Sequence, residues 1–345
     1  MLYYLFTAPT AALPLVLLVA FPLSWPKQIM ANPPTELLAR IASMYYEEDM
    51  TQAHIARKTG YSRSMISRYL KEARRLGIVE ISVHHPLARR ADLEKALRER
   101  FALRHVRVLD RTSNDYSRTL RSVGALAAQL LEEIVEDGMV IGMSWGTGLA
   151  ETVQACRPQN RRGVFVIQII GAVGAANPAI DGPELARLLA HKLGGDYATL
   201  PAPLFVESEA VREALERSRQ VQEVFSWAEK MDVALVGVGT VDREYSSLIR
   251  SGYLTPEQLD EFIQAGAVGD VCTFHFDIHG RLVHPPLQRC LVTIEPTTLM
   301  RTPIRLGVAA GQAKARPMVG ALRSRLINAL VTDHVAANQV LQLAH

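Results

Sequence analysis

Cysteine is scarce in this 345-residue chain: Cys156, Cys272 and Cys290 stand far apart, are odd in number and show no Cys-x-x-Cys spacing. That excludes a disulfide framework and a structural zinc knuckle, and it fits a reducing cytoplasm. An excess of either charge is lacking too. Lys plus Arg number 38 and Asp plus Glu 35, a net charge of +3 that is too even to name a partner. With 48% hydrophobic and 21% charged residues, the composition excludes the disordered and fibrous classes. At roughly 100 to 200 residues per domain, the length suggests two domains or three, each able to bury its own core.

A convincing membrane span is also lacking. Residues 2–25 are apolar and almost uncharged, but no Lys or Arg precedes the run and no small-x-small cleavage site follows it. Pro9, Pro14, Pro22 and Pro26 would break a helix already short of the roughly 20 residues a bilayer requires. Residues 1–34 are therefore an apolar extension with three readings open: a start-site artefact ahead of Met30 or a disordered tail, which is favoured; a membrane-associating segment; or a secretion signal. A membrane partner is not expected.

Residues 35–86 show the pattern of a DNA-binding domain. From Thr35 to Tyr46, Leu37, Leu38, Ile41, Ala42 and Tyr45 form the stripe of an amphipathic helix. Thr51 can cap a second helix carrying Ala53, Ile55 and Ala56, and Gly60 tolerates the left-handed turn that ends it. Ser62 can cap a third helix, with Ile66, Leu70 and Ala73 inward and Arg63, Ser64, Ser67, Arg68 and Lys71 outward. Ala53 and Ala56 supply the short side chains that two helices need where they meet across a tight turn. Between Arg57 and Arg75 there are seven basic residues and one acidic, Glu72, the patch that phosphate neutralisation requires. Tyr61, Arg63, Ser64, Ser67 and Arg68 are the candidates to read base edges, and Thr51, Gln52, Lys71 and Arg75 to hold phosphates. Gly77 to Val83 alternates like the short wing of a winged helix-turn-helix domain, with His84, His85 and Pro86 closing it.

Residues 87–101 form a charged linker helix whose Leu87, Leu93, Leu97 and Phe101 offer an apolar edge to a partner. Residues 102–345 alternate short Val/Ile-rich runs (106–109, 139–143, 164–170, 233–238 and 306–309) with helical segments (120–136, 183–193 and 318–330). This is the pattern of an α/β domain with a mostly parallel sheet, where ligands bind beyond the carboxyl ends of the strands.

The strand ending at Ile141 runs into Gly142, Met143, Ser144, Trp145, Gly146, Thr147 and Gly148, with a helix from about Leu149. Converging backbone N–H groups, a helix N-terminus and the Ser144 and Thr147 hydroxyls suit a phosphate, although such a turn can also be only a tight turn. The loop lacks the P-loop lysine and the Gly-x-Gly-x-x-Gly pattern, so nucleotide binding is disfavoured and no cofactor is expected. Gly237, Gly239 and Thr240 follow another strand, and Lys314 follows a third; Lys314 is either a cation for phosphate or carboxylate or a solvated surface lysine. Thr273, His275, Asp277 and His279 would share one face of an extended strand as a metal alternative, but four alternating polar residues more often mark an exposed face, and no metal is expected.

The stretches 50–56, 64–70 and 77–79, with Ser144-Trp145-Gly146, Gly269-Asp270-Val271, Phe276 to Gly280 and the segments 311–315 and 327–333, resemble the SorC-type bacterial transcriptional regulators over about residues 35–340. The resemblance implies an α/β effector domain with the fold of phosphosugar isomerases, a glycine–lysine segment lining the effector pocket, and Asp270 beside it, where it could accept hydrogen bonds from sugar hydroxyls. It implies an effector-controlled regulator of a carbohydrate operon that binds double-stranded operator DNA and a phosphorylated sugar as a homodimer or homotetramer. Where the family commonly has two adjacent glycines, this chain has Ala310-Gly311. The alternative is an isomerase-like enzyme with Asp270 or His275 as general base. The helix-turn-helix, which an isomerase does not need, favours the regulator.

Overall fold

The computed structural model describes residues 33–79, 87–110, 112–113, 115–174 and 178–344. The wing residues 80–83, the closing residues 84–86 and residues 1–32 of the apolar extension lie outside them. The chain divides between His85 and Pro86 into two compact units.

The first unit is three helices, α1 (Thr35–Tyr46), α2 (Gln52–Thr59) and α3 (Arg63–Arg75). Their ends have the chemistry read from the sequence. The Thr51 and Ser62 side chains accept hydrogen bonds from the His54 and Met65 N–H groups, and Gly60 ends α2 at φ 77°, each cap satisfying one of the orphan groups of a helix terminus. Leu38, Ile41, Ala42, Met44, Ile55, Ile66, Tyr69, Leu70 and Ala73 form the core. Ala53 is exposed, so of the two alanines only Ala56 packs against that core. Gly77 to Val79 form a turn after α3, with Ile78 and Val79 packed on the core.

The second unit contains, in order, α4 (Ala91–Phe101), β1 (His105–Leu109), α5 (Tyr116–Ile134), β2 (Val140–Met143), α6 (Thr147–Ala155), β3 (Phe165–Gln168), α7 (Gly182–Leu193) and β4 (Asp196–Ala198). There follow α8 (Glu209–Glu216), α9 (Arg219–Ala228), β5 (Val233–Gly237), α10 (Ser247–Arg250), α11 (Pro256–Gln264), β6 (Gly269–Val271) and β7 (Phe274–Phe276). Last come α12 (Pro296–Arg301), β8 (Ile304–Val308), α13 (Ala315–Arg323), β9 (Ala329–Asp333) and α14 (His334–Leu343). Seven strands make one wholly parallel sheet in the order β1-β9-β8-β5-β2-β3-β4, and β6 and β7 make a separate antiparallel hairpin.

A parallel sheet covered on both faces needs strands that are apolar on both sides. In β5, Val233 and Leu235 join one core with α5, α6 and α7, while Ala234 and Val236 join the other with α4, α13 and α14. From β2 the chain steps through β3 to β4 in one direction, then from β5 through β8 to β9 in the other. Strand order therefore reverses between β2 and β5, the switch point at which open α/β sheets form a crevice.

Three expectations are revised. The helix expected at 318–330 ends at Arg323, a turn with Arg325 at φ 61° follows, and Ala329–Asp333 is an interior strand. Its run of apolar residues is consistent with either period, and burial between β1 and β8 selects the strand. The helix expected to act as a linker belongs to the second unit: Leu93 and Leu97 are buried in its core, so its own domain occupies the apolar edge expected to meet a partner. The helix after the glycine loop begins at Thr147 rather than Leu149.

Candidate functional site

On α3, Arg63, Ser64, Arg68 and Lys71 are exposed and Ser67 half-buried. Their spacing puts them on one side of the helix, opposite the buried Ile66, Leu70 and Ala73. Tyr61 lies half-buried at the edge of this face, its ring edge-on to Tyr69 at 5.5 Å. Thr51 caps α2, and Gln52 follows half-buried in its first turn. Arg75 differs from the other basic candidates, because its guanidinium already holds Glu72 through two hydrogen bonds of 2.9 and 2.6 Å. That pairing keeps the Glu72 carboxyl below its ordinary range, and Arg75 must leave it to grip a phosphate.

In the second unit, the C-terminal ends of β2, β5 and β8 open into a cleft of about 660 Å³, counting its mouth. Ser144, Trp145, Gly146, Thr147, Gly148, Gly237, Gly239, Thr240, Asp270 and Lys314 all line it. Gly142 does not. It lies in β2, where a Cβ would meet the Met231 sulfur at 2.2 Å and Ile169 at 2.9 Å, so its role is packing.

Gly146 precedes α6 at φ 122° and its N–H donates to Ile180. The next N–H groups, on Thr147 and Gly148, have no carbonyl one turn back and point out of the helix end, where the helix dipole favours an anion. Ser144 is buried behind this turn. Trp145 packs toward the satellite core of Leu248, Leu254, Leu259 and Phe262, which fixes the loop.

Gly239 is required by close approach: a Cβ there would lie 1.8 Å from Asp270 Oδ1. The Gly239 N–H donates to the Asp270 carbonyl, and Asp270 Oδ2 accepts from the Thr273 N–H at 3.1 Å. The Asp270 carboxylate is thus pinned at the cleft wall with acceptor capacity left over. Gly311, at φ 85°, carries the Tyr116 ring at 3.1 Å from where a Cβ would stand, and its N–H donates to Asp333 Oδ2 at 2.6 Å. Ala310 is buried beside it, so the methyl group in place of the family's second glycine is accommodated.

Lys314 is half-buried, and its ammonium has no hydrogen-bond or ion-pair partner among the described residues. Burial pulls its pKa down to about 8, against the opposing pull of Asp270. A cation kept without a partner at the wall of a cleft is poised for an anionic guest. Burial also pushes the Cys272 thiol up to about 12, so this cleft residue stays a neutral thiol.

The metal alternative is not supported by the local geometry. Thr273 has φ 63°, which breaks the alternation, and Asp277 Oδ1 accepts from the His279 and Arg281 N–H groups in a turn. His275 is buried, stacked on Phe262 at 3.8 Å, with Nδ1 between the Thr273 carbonyl and Gln288. Among the described residues no group of three or more His, Cys, Asp and Glu is placed to hold a metal.

The sequence reading missed Tyr116, Ser246 and Leu248 of the lining. Ser246 is fully buried and its hydroxyl has no partner among the described residues. None of the three sits in a glycine motif, and the signal available was only their place just before, or at the start of, a helix.

Residues 85–342 match the family described as "Putative sugar-binding domain". The sorbitol operon regulator of Klebsiella pneumoniae is 31% identical over 313 residues, covering 89% of this chain and 98% of that protein. The deoxyribonucleoside regulator of Bacillus subtilis is 28% identical, covering 88% and 96%. The crystal structure of full-length SorC from K. pneumoniae superposes with a TM-score of 0.68 at 30% identity, covering 89% of this chain and 99% of that one. The chain belongs to the SorC-type family of transcriptional regulators and carries that family's sugar-binding domain.

Proposed function

We propose that the first unit grips double-stranded operator DNA through α3 and that the second senses a phosphorylated sugar in the β2–β5–β8 cleft, in a cytoplasmic homodimer or homotetramer. One observation carries the effector half: ten of the eleven candidate residues, drawn from four separate segments, line one cleft at the switch point of the sheet. The N-terminus of α6 and Lys314 would hold the phosphate, and Asp270 would accept from sugar hydroxyls. Arg63, Ser64, Ser67 and Arg68 would read base edges, with Tyr61 bordering them and Thr51, Gln52, Lys71 and Arg75 on phosphates.

A regulator is favoured over an isomerase because the relatives are named as regulators and because His275, one of the two candidate bases, is buried against Phe262 away from the cleft lining. No helix among the described residues is long and apolar enough to cross a membrane. A subunit pair is needed because one helix-turn-helix reads too few base pairs for genomic specificity.

The test is a thermal-shift panel of free and phosphorylated sugars on the full chain, followed by selection of bound duplexes from a random pool. A true effector at 100-fold excess over its Kd stabilises by about 2.7 kcal/mol. Arg68→Ala should weaken the selected duplex and relax its sequence preference, by about 1–3 kcal/mol for a lost bidentate base contact. Unchanged affinity and preference would overturn the assignment of α3.

A further inference from the structure

The opposite end of the parallel sheet carries a feature that effector sensing does not use. The run from Arg98 to Arg107 brings Arg98, Arg104, His105 and Arg107 to the start of β1. The Arg104 N–H donates to the Asn328 carbonyl, and the Asn328 N–H to the Arg305 carbonyl, so Arg104, Asn328 and Arg305 sit side by side at the N-terminal ends of β1, β9 and β8. Arg305 Nε donates to the carbonyl of Arg325, which adds a fifth arginine.

Among the described residues only Arg107 of these is in an ion pair, with Glu133 at 2.8 Å. The side chains of Arg98, Arg104 and Arg325 are exposed and have no hydrogen-bond or ion-pair partner among the described residues. The charges oppose one another. Burial first, then Arg104, holds the Arg305 guanidinium below its ordinary range, and burial with Arg107, Arg104 and Arg98 does the same to His105. Packing the sheet requires none of these exposed guanidiniums, and an uncompensated like-charge cluster disfavours the folded state.

From this cluster we infer that the N-terminal edge of the sheet is a second polyanion-binding surface, one that contacts the phosphate backbone of duplex DNA. Neighbouring strands lie roughly 4.8 Å apart, so the backbones of Arg104 and Arg305, two strands apart, stand about 10 Å from one another. That is a line of charges suited to an extended polyanion. None of these arginines lines the cleft, which argues against a small enclosed anion. Guanidinium forks match phosphate oxygens without reading sequence. The choice of DNA over an acidic protein rests on the DNA-binding reading, which already gives this chain an extended phosphate polyanion as a partner.

The test uses the full chain and a 40-base-pair duplex of arbitrary sequence, with affinity measured by anisotropy across a salt series. Each phosphate contact contributes about −0.9 to the slope of log K against log salt. The triple variant Arg98→Gln, Arg104→Gln, Arg325→Gln should make the slope shallower by up to about 2.7 and weaken binding several-fold at low salt. Thermal melting should be unchanged or raised, because the three side chains hold nothing. Arg305 is left in place, since it also donates to the Thr302 carbonyl. A parallel variant, Arg63→Gln with Arg68→Gln, separates the two surfaces. If it leaves binding intact while the triple variant weakens it, the α3 assignment fails and the edge surface stands. If the triple variant leaves slope and affinity unchanged, the edge surface is overturned, and capture of an acidic protein by that edge would not rescue it.

Discussion

Lys314 shows how a single side chain can set the chemistry of a cleft. Its pKa of about 8 lies below the ordinary lysine value of 10.5 because burial disfavours the ammonium. Between those two values the unfolded chain binds the extra proton, so from this group alone stability rises with pH from about 8 to 10.5. The proposed effector binding would have the opposite dependence. A phosphate favours the ammonium and is itself doubly ionised only above its second pKa of about 6, so affinity should be fullest near about pH 7 and fall as pH rises through about 8, with proton uptake on binding near about pH 8. Calorimetry in two buffers of different ionisation enthalpy measures that uptake directly. Lys314→Gln should remove both the uptake and most of the affinity while leaving DNA binding as it was. A Lys314→Gln protein that keeps its pH-dependent affinity would exclude this lysine from the site.

Gly239 supports the same cleft by having no side chain. A methyl group there would stand 1.8 Å from Asp270 Oδ1, closer than any contact can be, so Asp270 must swing away. Gly239→Ala should lose the effector response and cost about 1–3 kcal/mol in stability, as overpacking does. The effector response of Asp270→Asn should also fall, without the stability loss. Chemical denaturation of the two variants separates their effects.

At the scale of elements, caps determined much of what could be read in advance. Thr51, Gly60 and Ser62 are local signals whose partners lie within four residues, and α2 begins and ends, and α3 begins, where those residues place them. Ser62→Ala removes the acceptor for the Met65 N–H and should cost about 1 kcal/mol, read as a lowered melting point of the first unit. The strands that were missed lack such punctuation. β9 enters from Leu326-Ile327-Asn328 without a glycine or proline to separate strand from helix, and its identity follows from hydrogen bonding to β1 and β8, the former far off in sequence. β4 is three residues long at the sheet edge, and β6 and β7 turn through Cys272 and Thr273, both at positive φ without a glycine to announce it. The site was legible wherever a glycine loop followed a strand. Tyr116 and Ser246 reach the cleft from helix starts that no motif marks. Gly142 shows the limit in the other direction, since a glycine adjoining a binding loop in sequence serves the sheet instead.

For the whole molecule the question is how a filled cleft in the second unit would change a DNA contact made by the first. Any such coupling is a free energy shared by two ligands, so it must act in both directions by the same factor. If a phosphorylated sugar changes the affinity for the selected duplex by, for example, about 30-fold, within the usual range of roughly 5 to 150, the duplex must change the sugar affinity by that same factor and in the same direction. The two titrations are independent: sugar by calorimetry with and without saturating duplex, and duplex by anisotropy with and without saturating sugar. Both should be run at one protein concentration with the subunit count fixed by light scattering, because a ligand that also shifts dimer against tetramer adds an assembly step to the cycle. With assembly held constant, equal factors identify one linked equilibrium, whereas a sugar that stabilises the second unit yet leaves duplex affinity untouched would make the cleft a binding site without a regulatory output.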